Sequence, residues 1–249
     1  MPVNVWTVTL AATVTALATG LGALPFLFVS GRSVSRAWLG GSNAVASGFM
    51  LAASAGLLWQ GFGLGPARLA LGALAGCVFI WVFRRLIGQN EGHEIARLAG
   101  TDAAKALVIV AVMTVHSAAE GIGVGVSYGG GERLGVLITI AIALHNIPEG
   151  LAISLVLVPR GATVGAAAWW SIFSSLPQAL IAPVAFLFVE AFTPLLPVGL
   201  GFAAGAMIWM VVSELLPEAA RDASARTLAL GGGISFALML GAQLLLFGT

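Results

Sequence analysis

Charge is scarce in this sequence: lysine, arginine, aspartate and glutamate together make up 8% of 249 residues, while 59% are hydrophobic. Soluble domains are roughly a quarter charged, so water is not the main solvent of this chain. Cysteine is nearly absent. Cys77 stands alone, which rules out a disulfide within the chain and a thiolate metal cluster, and its apolar surroundings suit a small buried hydrophobe. No GxxxxGK[ST] phosphate loop occurs, so nothing points to nucleotide hydrolysis. The metallohydrolase motif HExxH is missing too. A spanning helix takes about 20 apolar residues at 1.5 Å rise each, which leaves no room for a sizeable soluble domain beside the crossings.

What is present is a succession of apolar runs bounded by Gly, Pro and charge clusters. These predict an all-α integral membrane protein, a single transmembrane domain over residues 1–249 in the cell membrane. Eight spans are expected, near Val5–Val29, Asn43–Phe62, Arg68–Ile87, Ala104–Tyr128, Leu134–Val158, Val164–Val189, Leu195–Leu216 and Leu228–Phe247. The first run continues too far, without a basic leader, to read as a cleaved signal peptide. Pro194 and Pro197 predict a break between the sixth and seventh spans. Small-residue spacings such as Gly121, Gly123 and Gly125, or Gly201 and Gly205, predict close helix approach in a compact bundle.

Eight spans put both termini on one side, and the cations then divide unevenly between alternate loops. One set holds Arg32, Arg36, Arg84, Arg85, Arg97, Lys105, Arg160, Arg221 and Arg226, the other only Arg68 and Arg133. The positive-inside rule therefore predicts both termini outside. The longest inner loop is expected from about Gly88 to Ala103 and carries Glu91, His93, Glu94 and Asp102, a solvated charged stretch with some attraction for cations.

Two of the three histidines fall deep in predicted spans with a glutamate four residues on, His116 with Glu120 and His145 with Glu149. Residues i and i+4 share a helix face, so each pair offers an imidazole nitrogen and a carboxylate oxygen to one point beside its helix. Two such helices facing each other supply ligands enough for a divalent ion. An ionised Glu at the bilayer centre costs at least about 3 kcal/mol on insertion scales, a cost that a bound dication removes. Imidazole and carboxylate without thiolate suit Zn, Fe(II), Mn, Co or Cd. Met50 is positioned to add a thioether from the second span, and Pro148 removes a backbone donor beside Glu149, freeing a carbonyl for a polar cavity. Ser117, Asn146, Ser174, Ser175, Gln178, Asn43 and Ser47 read as polar contacts between helices. Glu214 and Glu218, flanking Pro217, either take ions at an inner exit or end a helix at the interface.

HSAAEG at 116–121, HNIPEG at 145–150, GFMLAA at 48–53 and GAMIWMVVSELLPE at 205–218 together resemble the ZIP family of divalent-metal transporters, and its bacterial zinc-uptake branch most. The likeness covers most of the chain. It implies eight spans with both termini outside and passage of Zn, with Fe, Mn or Cd as secondary cargo, toward the cytoplasm. By motif position the metal ligands would be His116, Glu120, His145, Glu149 and Met50, with Ser117, Asn146 and Gln178 bordering a second, weaker position. The family pattern has Asn and Pro where this chain has Ser117 and Ala119, and Glu where it has Gln178, so a second position loses ligands. The resemblance also implies a homodimer whose metal-carrying helices slide against a dimeric scaffold. The partners expected are therefore divalent ions, lipid and a second copy of the chain, with no nucleic acid and no catalytic cofactor. A membrane metalloenzyme and a proton-conducting or metal-sensing bundle are the alternatives the same residues leave open.

Overall fold

The computed structural model describes residues 3–28, 36–98 and 101–247, with side chains except at positions 36, 87–109, 111–112 and 246–247. Among the described residues there is no strand, and eight helices of 15 residues or more follow one another. Helix α1 (Val5–Thr19) begins at Asn4, whose side chain accepts from the Thr7 amide at 2.9 Å, an N-cap that satisfies one of the first turn's orphan donors. It continues through a 3-10 turn, Gly20–Ala23, and one further turn, Pro25–Phe28. There follow α2 (Arg36–Leu64), α3 (Pro66–Leu98), α4 (Thr101–Gly129), α5 (Glu132–Leu157), α6 (Val164–Ala191), α7 (Leu196–Met210) and α8 (Ala225–Phe247). Helix α7 runs on through a π-helical turn, Val211–Leu215, into Leu216–Asp222.

Each expected span coincides with a helix. Among the described residues seven segments are long and apolar enough to cross a membrane, and α4 is the eighth helix. The break between the sixth and seventh spans falls at the 3-10 turn Thr193–Leu195, where Pro194 supplies no amide hydrogen. Gly131, at φ 127°, adopts a backbone that side chains disfavour and so makes the tight turn into α5 possible. One expectation is corrected. No long loop separates the third and fourth spans, because α3 extends to Leu98 and α4 starts at Thr101. The stretch from Gly88 contains no proline, and adding a residue to an existing helix gains a hydrogen bond at little nucleation cost. The side chains of Glu91, His93, Glu94 and Asp102 lie outside the described residues.

The helices pack as two groups. Helices α1, α4, α5 and α6 contact one another; α2, α3 and α7 form the second group, chiefly through α3 with α7, and α8 packs on α2; α4 touches α3 and α7, and α5 touches α2. Glycine decides the closest crossings. A Cβ on Gly72 or Gly76 would strike the α7 carbonyls of Val198 or Phe202, and one on Gly201 or Gly205 would strike the α3 carbonyls of Leu69 or Ala73. With no hydrophobic drive between helices in lipid, such backbone approach supplies the packing. Cys77 lies at the same crossing, its Sγ 3.3 Å from the Gly205 carbonyl. Arg68 donates to the Pro194 carbonyl at 3.1 Å, which places the α2–α3 and α6–α7 turns at one end of the bundle. Of the seven candidate spans among the described residues, that of α5 is the most enclosed, 61% buried against 17% for that of α8.

Candidate metal centre

Both motif glutamates are followed by glycine, and the packing explains why. A side chain at Gly121 would meet the α6 backbone at Gln178, and one at Gly150 would meet the Thr19 carbonyl of α1. Helices therefore cross directly beside Glu120 and Glu149, shutting both carboxylates away from solvent and lipid; Glu120 is fully buried and Glu149 nearly so. Pro148 sits inside α5 without ending it, and its missing N–H leaves the Leu144 carbonyl without its usual helical partner.

Glu120 from α4 and His145 and Glu149 from α5 converge, each offering a ligand atom within 4.8 Å of the others. His145 Nε2 lies 3.2 Å from Glu120 Oε1 and 3.2 Å from Glu149 Oε1. Two ligands each about 2.1 Å from a tetrahedral ion stand about 3.4 Å apart, so these separations match a coordination edge. Three atoms of the group, Glu120 Oε1, Glu149 Oε2 and His145 Nδ1, are buried and make no hydrogen bond to any described residue. Buried polar atoms are nearly always paired; a cluster of unpaired carboxylate and imidazole atoms suits a divalent ion that accepts N and O donors.

The structure does not place all four paired residues at one point. His116 shares a face with Glu120, but its Nε2 lies 2.9 Å from Glu214 Oε2 in the π-helical turn after α7. Glu214 in turn faces Arg84 of α3 at 3.4 Å, and Arg84 also donates to the Ser213 carbonyl at 3.1 Å. Met50 is fully buried in the main hydrophobic core, where its carbonyl accepts from Ser54. Ser117 reaches Ser175 at 3.5 Å. Asn146 and Gln178 bond to one another, and Gln178 Nε2 donates to Glu120 Oε2. Of the remaining polar residues, Asn43 donates to Glu218 Oε2 at 3.2 Å, so Glu218 takes part in helix packing at this end.

Thr15 and Thr19 of α1 also reach this network, though the sequence did not point to them. The Thr15 hydroxyl is 2.6 Å from Gln178 Oε1, and that of Thr19 is 2.8 Å from Ser175 Oγ. Thr7, Thr9 and Thr13 lie on the same helix, and Thr9 and Thr13 repeat the i, i+4 spacing, so spacing did not single this pair out.

A family model described as ZIP zinc transporter matches residues 87–247. The chain is 46% identical over 240 residues to an Arabidopsis thaliana protein provisionally named a zinc transporter; the match covers 95% of this chain and 38% of that protein's length. It is 35% identical over 240 residues to zinc transporter GufA of Myxococcus xanthus, covering 90% of this chain and 93% of that protein. With zinc transporter ZIPB of Bordetella bronchiseptica it shares 34% identity over 236 residues, covering 90% and 76% of the two chains. An enclosed carboxylate–imidazole cluster, a bundle of apolar helices and these matches lead to one assignment: the chain belongs to the ZIP zinc transporter family.

Proposed function

We propose that this protein carries divalent transition-metal ions across the cell membrane into the cytoplasm, zinc foremost, with Fe(II), Mn(II) and Cd(II) as further cargo. The ion is held by Glu120, His145 and Glu149, joined during passage by His116 and Met50. The observation that carries this reading is the convergence of those three ligand atoms within 4.8 Å, on buried side chains of α4 and α5.

The chemistry follows from charge. Two buried carboxylates are costly in a low-dielectric interior, and a dication offsets both at once, so the loaded site is the form that suits the membrane. A neutral imidazole completes the ligand set and favours zinc-like ions over purely oxygen-seeking Mg or Ca. With no thiolate in reach the grip stays loose enough for release, which transport requires and a tight structural site would prevent. His116 is one helical turn before Glu120 and is held by Glu214; passing from that carboxylate to the ion gives the cargo a next ligand along the same face. The cation-rich end faces the cytoplasm, both termini lie outside, and a second copy of the chain is the partner within the bilayer.

Zinc uptake by proteoliposomes tests the reading. His145→Ala, Glu149→Ala and His116→Ala each abolish uptake while the protein still elutes as a folded species. Undiminished flux in these variants removes the assignment.

A further inference from the structure

We infer that Gln178 and Asn146 act on Glu120 as positioning residues, not as ion ligands, through a run of hydrogen bonds whose direction is set by a backbone carbonyl of α1. The inference rests on Glu120, His145 and Glu149 holding the ion.

The run begins at Thr15. Its carbonyl accepts from Asn146 Nδ2 at 2.7 Å, and a carbonyl accepts only, so the nitrogen of the Asn146 amide must face α1. The second hydrogen of that nitrogen points to Gln178 Oε1 at 3.1 Å. Gln178 is thereby oriented with its oxygen toward Asn146 and its nitrogen toward Glu120, where Nε2 donates to Oε2. Turning the Gln178 amide over would set nitrogen against nitrogen at Asn146 and oxygen against oxygen at Glu120, so one orientation satisfies both ends. The Thr15 hydroxyl lies 2.6 Å from Gln178 Oε1 and 2.8 Å from the Ala12 carbonyl; its one hydrogen serves one acceptor at a time, so the orientation is set by the Asn146 and Glu120 contacts. All of these side chains are fully buried, where an unmatched polar contact is most costly.

The consequence falls on Glu120. One oxygen is occupied by an amide donor, and the other, Oε1, is the unbonded atom facing His145. The carboxylate is thus offered to the ion through a single oxygen, held by a charge-assisted bond. The neutral amide of Gln178 fills the space on the far side of Glu120.

Zinc titration of the purified full chain in detergent separates the two roles. Asn146→Asp and Gln178→Glu keep size but replace a donor with an acceptor, at the Thr15 carbonyl and at Glu120 respectively. Positioning residues so altered weaken zinc binding about tenfold each, the scale of one charge-assisted hydrogen bond, with the number of ions bound unchanged. Thr15→Val keeps the carbonyl and shifts affinity about threefold or less. Tighter binding, or an additional zinc, in either carboxylate variant overturns the proposal, since a ligating carboxylate would improve on an amide. A second measurement does not depend on those variants folding. In zinc-minus-apo infrared spectra, Gln178→Met narrows the separation of the two Glu carboxylate stretches as Oε2 becomes free to join the ion, and an unchanged spectrum also overturns the proposal. Wild-type affinity in His145→Ala and Glu149→Ala would instead defeat the metal-site reading beneath it.

Discussion

At the residue scale, the centre depends on how few ways a buried side chain can be satisfied. His145 stands between two carboxylates at 3.2 Å each, an arrangement that a single imidazole proton cannot serve at both contacts. His116, with the same sequence spacing to its own glutamate, has Glu214 as a closer partner at 2.9 Å. Arg84 completes that second group from the α3 side with half of its side chain exposed, so solvent weakens its share of the pairing. Replacing Glu214 by alanine leaves His116 and Arg84 without the carboxylate between them. A loss of about 1–3 kcal/mol is expected, seen as a fall in the melting temperature of the detergent-solubilised protein. No fall means that the pairing adds nothing to stability.

At the scale of the elements, glycine has two distinct uses. Gly150 lies where α5 meets the end of α1, with no room for a Cβ beside the Thr19 carbonyl. Gly150→Val should push α1 off α5, moving both the Asn146 anchor and Glu149; lost expression or lost zinc uptake is the expected outcome. Gly241 in α8 has open space where its Cβ would be, so Gly241→Ala gains helix propensity, up to about 1 kcal/mol, and the melting temperature holds or rises. A melting temperature lowered by Gly241→Ala would mean that α8 is covered by a neighbouring chain at that position. The helices themselves were legible from the apolar runs, to within a few residues at most ends. The extension of α3 to Leu98 was not, because charge and glycine weaken a helix signal without supplying the proline that would stop it.

At the scale of the whole molecule, the two helix groups meet where α4 contacts α3 and α7 and where α5 contacts α2, and the metal centre lies on the α4 and α5 side of that boundary. The orientation proposed for the bundle has a direct check. With Cys77 replaced by alanine, a cysteine at exposed position 133 should react with a membrane-impermeant thiol reagent added to intact cells, and one at exposed position 160 should react only after permeabilisation. The reverse pattern would turn the bundle over and with it the direction of uptake.

Sequence alone determined that this is a membrane bundle of helices, and that His116 with Glu120 and His145 with Glu149 each share one face. Both follow from local rules, since apolar length sets a span and the i, i+4 spacing sets a face. The tertiary structure decided which faces meet. It brought Glu120 across to His145 and Glu149, sent His116 to Glu214, and drew Thr15 of α1 into the network behind Gln178. Those choices depend on how far each helix is rotated about its axis and on where glycine lets two backbones touch, distances that spacing within one helix does not encode.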